Sequence, residues 1–158
     1  MTTLHKIGEP APQFELPSSE NKAINLKDYL HKKNVVLYFY PKDDTPGCTV
    51  EACDFRDNMA RLQSTDTVVL GVSKDDLKSH DKFKEKHQLP FALLSDEETE
   101  VLKMYDSWKE KSMFGKKYWG IERNTFLIDK KGILRQIWKN VKVKGHVEEV
   151  LKAIEALK

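Results

Sequence analysis

The run Asn34-Val35-Val36-Leu37-Tyr38-Phe39-Tyr40-Pro41-Lys42-Asp43-Asp44-Thr45-Pro46-Gly47-Cys48 decides the fold of this chain. Its first seven residues are mostly β-branched and aromatic. They predict a buried strand, because a strand covered on both faces tolerates an unbroken apolar block. A helix follows. Thr45 suits its N-cap, and Pro46 suits its first position, where a missing N–H costs nothing. Cys48 then falls at the third helical position, among unpaired backbone donors that stabilise negative charge. A thiol so placed, or beside an arginine, gains thiolate character, and the thiolate is the nucleophile.

Reading outward, Cys48, Ala52, Phe55, Met59 and Leu62 recur at spacings of four, three, four and three, which is one buried helix face. Cys53 is the only other cysteine. In a regular helix it lies about 140° round from Cys48, with the Cα atoms about 8.6 Å apart. Disulfides rarely span more than about 7 Å, so the two can bridge only if this turn of helix opens.

These residues resemble the peroxiredoxin family, in which Pro-x-x-x-Thr-x-x-Cys carries the peroxide-reducing cysteine, here Pro41, Thr45 and Cys48. The run Thr45 to Cys53 is similar to the branch called bacterioferritin comigratory protein or peroxiredoxin Q. Gly120-Ile121-Glu122-Arg123-Asn124-Thr125-Phe126-Leu127-Ile128-Asp129 is similar to that branch's arginine-bearing strand, and Gly8 to Phe14 to the family's usual start. The resemblance implies a thioredoxin fold. It also implies that Cys48 is the peroxidatic cysteine, attacking hydrogen peroxide or an alkyl hydroperoxide and becoming a sulfenic acid. Arg123, the Thr45 hydroxyl and the Cys48 amide would be donors to the peroxide oxygens, and Pro41 would shield the thiolate from water. Cys53 would resolve the sulfenic acid by closing an intramolecular disulfide, which protects Cys48 from irreversible oxidation. Thioredoxin, or a glutaredoxin-type donor, would reopen it.

At 158 residues without a low-complexity linker, the chain is expected to form a single domain over 1–158. The formal charge of +2 comes from interspersed Lys and Glu/Asp, which is a solvated surface and not a nucleic-acid footprint. No apolar run has the length of a membrane span, and the first residues lack the apolar core of a signal peptide, so a cytoplasmic monomer is expected. No cofactor or metal is called for.

The order of elements begins with a hairpin, Phe14 to Leu16 and Ala23 to Asn25, and a short helix near Leu26 to Leu30. After the Cys48 helix come a strand at Thr67 to Ser73, a charged helix at Asp76 to His87, a strand at Phe91 to Leu94 and a helix from Glu97 to Asp106. Strands at Asn124 to Ile128 and Ile133 to Trp138 are joined by Asp129-Lys130-Lys131-Gly132, a hairpin turn with Gly at a left-handed position, and a helix at His146 to Leu157 closes the chain. Alternation of this kind implies a central mixed sheet flanked by helices, with the hairpin as an N-terminal extension. Lys109 to Gly120 reads as a loop. Its large groups, Trp108, Met113, Phe114, Tyr118 and Trp119, are expected to pack on the domain, the alternative being that some line a peroxide pocket or meet a partner. Asp43 and Asp44 are expected in solvent, as are His80 and His87 on one helix face.

Three other functions compete. A thioredoxin-like disulfide reductase normally carries Cys-x-x-Cys and a cis-proline, whereas here Thr45 stands at the first cysteine position and Asn124 precedes Thr125. A metal protein using the two cysteines with His5, His31, His80, His87 or His146 lacks ligand pairs at the spacing of a structural zinc site. A peroxide sensor shares the first chemical step, and only turnover with thioredoxin separates it from a peroxidase.

Overall fold

The computed structural model of the protein describes residues 6–157. His5 lies outside them. The chain enters through a small antiparallel pair, β1 (Glu15–Pro17) and β2 (Ala23–Asn25), and a short 3-10 helix, Leu26–Tyr29. Asn25 caps that helix with a reciprocal capping box to Asp28. The predicted central strand is β3 (Asn34–Phe39), buried at every residue. Beyond it lie α1 (Pro46–Arg56), α2 (Met59–Ser64), β4 (Thr67–Ser73), α3 (Leu77–His87) and β5 (Ala92–Ser95). The chain then forms α4 (Glu100–Met104), β6 (Trp108–Met113), β7 (Lys116–Ile121), β8 (Asn124–Ile128), β9 (Leu134–Trp138) and α5 (His146–Glu155).

The main sheet has the order β5-β4-β3-β8-β9. β3, β4 and β5 are parallel, as the crossovers through α1–α2 and through α3 demand, whereas β8 and β9 return antiparallel through the short turn at Gly132, whose φ is 79°. This mixed sheet with helices on both faces is the thioredoxin fold. Alternation along β3 sorts two cores. Val35, Leu37 and Phe39 pack with Phe14, Leu16, Leu102 and Phe126 on one face. Val36, Tyr38 and Tyr40 pack with Cys48, Ala52, Phe55, Phe83 and Ile154 on the other. Cys48 is thus a core residue of the second face.

Four expectations are corrected. The single helix through Leu62 is two: α1 stops at Arg56 and α2 starts at Met59, while the apolar stripe runs on across the break because Leu62 and Met59 join the same core. The helix expected over Glu97 to Asp106 is only α4, Thr99 before it being left-handed at φ 61°. Lys109 to Gly120 is not a loop but lies in the β6–β7 hairpin, paired from Trp108–Ile121 to Met113–Lys116. Its two-residue turn, Phe114-Gly115, has φ of 52° and 77°, the primed turn that matches strand twist. Four of the five large groups expected to pack on the domain do not: Met113, Tyr118 and Trp119 are exposed and Phe114 is 98% exposed, whereas Trp108, with its strand partner Ile121, packs against the core.

Candidate active site

The strand-to-helix turn after β3 delivers Cys48 into the first turn of α1, and no element intervenes between the sheet edge and the thiol. Thr45 takes the N-cap backbone conformation and its carbonyl accepts from the Thr49 amide at 2.8 Å. Its hydroxyl does not cap the helix. It donates to the Lys42 carbonyl at 2.8 Å, which tightens the loop and leaves the first helical amides without a side-chain acceptor. Cys48 is buried, 2% exposed, and Cys53 is half-buried in the same unbroken helix, both thiols being free. Pro41 is exposed on the loop.

Arg123 comes from the residue before β8, which the sheet places next to β3. Its Nη2 donates to Cys48 Sγ at 3.4 Å, and its Nη1 donates to Glu51 Oε1 at 2.7 Å. The side chain is 16% exposed, so this is no ordinary surface charge beside Glu122. Gly47 makes room for it: a Cβ there would lie 3.2 Å from Nη2. Burial works against the Arg123 charge, but Glu51 and Cys48 together hold the guanidinium above its ordinary value. A permanent cation thus lies within hydrogen-bond reach of the sulfur.

Glu51 was not singled out in the sequence, although its spacing of three from Cys48 on a helix announces a shared face. It is fully buried, and Oε2 has no hydrogen-bond partner. Burial pushes its carboxyl up to about 7, with Arg123 holding it back. Two further basic groups approach Arg123. His146 is packed edge-on to Trp138 and bonded through Nε2 to Thr125 Oγ1 at 2.8 Å. Burial, helped by Arg123, lowers it to about 4, so it is neutral at pH 7. Lys111, from the hairpin, donates to the Ile121 carbonyl and is lowered by burial, which Glu122 partly opposes.

Two more expectations fail here. Asp43 does not point into solvent but is buried, and His80 is fully buried against it at 2.7 Å. Only Asp44 is exposed, with His87 half-buried beside it.

A thioredoxin fold with one buried cysteine at a helix start, an arginine on its sulfur and a second cysteine one turn further along defines a thiol-dependent peroxidase of the peroxiredoxin class. The comparisons with known proteins agree. The AhpC/TSA family matches residues 7–137, and the chain belongs to that family. It is 53% identical over 150 residues to the peroxiredoxin Bcp of Bacillus subtilis, covering 95% of each chain. Among solved structures it is similar to a peroxiredoxin Q of Xylella fastidiosa, with 39% identity, a TM-score of 0.91 and 98% of each chain covered. It is also similar to the bacterioferritin comigratory protein of Xanthomonas campestris, studied for its alkyl peroxide reduction activity, with 40% identity, a TM-score of 0.86 and 90% of each chain covered.

Proposed function

We propose that this peroxiredoxin reduces hydrogen peroxide and organic hydroperoxides at Cys48 and resolves the product through Cys53, as one domain spanning 1–158. The observation that carries this is the Arg123 guanidinium 3.4 Å from the sulfur of a cysteine buried at a helix start. The Cys48 thiolate attacks the terminal peroxide oxygen. The O–O bond breaks, its electron pair leaves with hydroxide or alkoxide, which takes up a proton, and Cys48 becomes a sulfenic acid. Charge builds on the leaving oxygen, so donors fixed beforehand lower the barrier most. Arg123 and the Cys48 amide are those donors, and the Thr45 hydroxyl joins them only once it turns from the Lys42 carbonyl, while Pro41 limits water at the thiolate.

Cys53 then attacks the Cys48 sulfur as thiolate, a sulfur–sulfur bond forms, and the sulfenic oxygen departs as water after protonation. Both residues lie in α1, so the helix must open first. A dithiol donor, thioredoxin or a glutaredoxin, reduces the bridge through a mixed disulfide. The enzyme works as a cytoplasmic monomer. Among the described residues no helix is long and apolar enough to cross a membrane. Peroxide consumption with and without a thioredoxin system tests the proposal, using hydrogen peroxide and an alkyl hydroperoxide in parallel. Turnover that disappears in Cys48→Ser is the expected result. Single-turnover oxidation with no thiol donor able to restore the protein would leave the peroxide-sensor function instead.

A further inference from the structure

The segment that holds Cys48, Glu51 and Cys53 is tied to α3 at both ends. At its far end Arg56 Nη1 donates to the His87 carbonyl at 2.7 Å. At its near end Asp43 is held by His80 and Ser79, both on α3.

The near tie is a saturated polar cluster. The Leu94 carbonyl can only accept, so His80 Nε2, 2.9 Å away, must carry a proton. Nδ1 faces Asp43 Oδ2 at 2.7 Å, within direct hydrogen-bond reach. The Tyr40 hydroxyl donates to Asp43 Oδ1 at 2.5 Å and the Ser79 hydroxyl to Oδ2 at 2.8 Å. The Asp43 amide donates to Asp75 Oδ2 at 2.8 Å, and Asp75 in turn accepts from the Ser73 hydroxyl at 2.7 Å. Asp43 is 7% exposed and His80 is fully buried, and hydrogen bonds to a charged group in such a place are costly to break.

One residue later this rigidity ends. Asp44 is left-handed at φ 58°, and its side chain is exposed, with only surface pairs to Lys86 at 2.9 Å and His87 at 3.4 Å. Asp43 is therefore a fixed point and Asp44 a pivot, directly before the helix that has to open.

We propose that the Asp43–His80 pair is a positioning device for the peroxidase cycle. It fixes the point behind which the chain cannot unwind, and so sets the balance between the closed helix that presents Cys48 to peroxide and the opened helix in which Cys53 reaches it. With Asp43 held, opening releases only residues 44–55. Without it the release runs back to the end of β3, the freed chain gains conformational entropy, and the opened state becomes more populated. The second half of the proposal rests on the Cys48–Cys53 disulfide proposed above.

The test compares the reduced protein with Asp43→Ala, His80→Gln and Asp43→Asn. Asparagine keeps the same contacts, because its amide can donate to His80 Nδ1 and to the Ser79 hydroxyl, which turns from donor to acceptor, and its carbonyl can accept from Tyr40. Losing a hydrogen bond to a charged group corresponds to roughly a tenfold change in an opening equilibrium, or more. Amides of residues 44–55 should therefore exchange hydrogen about tenfold faster in Asp43→Ala and His80→Gln, with β3 and β4 still protected, while Asp43→Asn stays near the parent. After one equivalent of hydrogen peroxide, conversion of sulfenic acid to disulfide should accelerate by a similar factor, while the attack on peroxide stays equal or slows. A merely structural loss would instead slow both steps and expose the whole sheet. Unchanged exchange over 44–55, or protection lost throughout, overturns the proposal. Ser79→Ala removes only one donor and, should the larger changes prevent folding, must show the same trend at smaller size. A protein whose Cys48 ignores peroxide defeats the peroxidase function but leaves the exchange result to judge the anchor.

Discussion

Glu51→Gln tests the electrostatics beside the Cys48 sulfur. Glu51 is fully buried, and burial lifts its carboxyl from 4.5 to about 7. The folded protein therefore binds this proton more tightly than the unfolded chain does. Stability from that proton is complete below pH 4.5 and is lost progressively as pH rises through about 7. At 1.36 kcal/mol per pK unit, the loss amounts to about 3 kcal/mol between the two limits. Glutamine keeps the shape and cannot titrate. Its constant cost, the replacement of the neutral carboxyl whose Oε1 lies 2.7 Å from Arg123 Nη1, shifts both ends of the comparison equally, because the pull of Arg123 on the ionised form is already contained in the pKa. Urea unfolding of the reduced protein at pH 5 and pH 8 should then show Glu51→Gln gaining on the parent by about 2–3 kcal/mol as pH rises, since Glu51 is already partly ionised within this window. An unchanged difference between the two pH values would mean that Glu51 is ionised throughout, and the energetic picture of the site would be wrong.

Arg123→Ala should lower the second-order rate with peroxide about 100-fold, the usual effect of removing a fixed donor from a developing anion, and Arg123→Lys should recover only part of it for want of two-point geometry. Equal rates in stopped-flow assays would reduce Arg123 to a structural partner of Glu51. Gly47→Ala places a methyl group 3.2 Å from Arg123 Nη2 and should cost roughly three- to tenfold in the same rate with little change in melting temperature. Cys53→Ser should react with one equivalent of peroxide at the parent's rate, then stall and add further oxygens visible by mass spectrometry. Normal turnover with thioredoxin in that variant would remove Cys53 from the cycle.

Local order carried much of this structure to the surface of the sequence. The apolar block before Pro41, the Thr45-Pro46 helix start and the Gly132 turn act over a few residues, so β3, α1 and the β8–β9 return could be read directly, and with them Cys48 and Cys53. Arg123 needed the family resemblance, because nothing in the residues around it says which strand lies beside β3. The hairpin at Lys109 to Gly120 escaped because its pairing leaves both faces largely in water. An apolar-in, polar-out alternation therefore never developed, and Phe114-Gly115 lacks the Asn-Gly form of a primed turn. The partners of charged groups were decided only by tertiary structure. Asp43 and His80 look like solvent residues in sequence, 37 positions apart, and only the packing of α3 on the β3 loop buries them against each other. Glu51 and Arg123, 72 positions apart, meet only because β8 pairs with β3. Backbone propensity is a local energy and leaves its mark in neighbouring residues. Charge pairing and burial are set by distances through space, and those exist only once the sheet has formed.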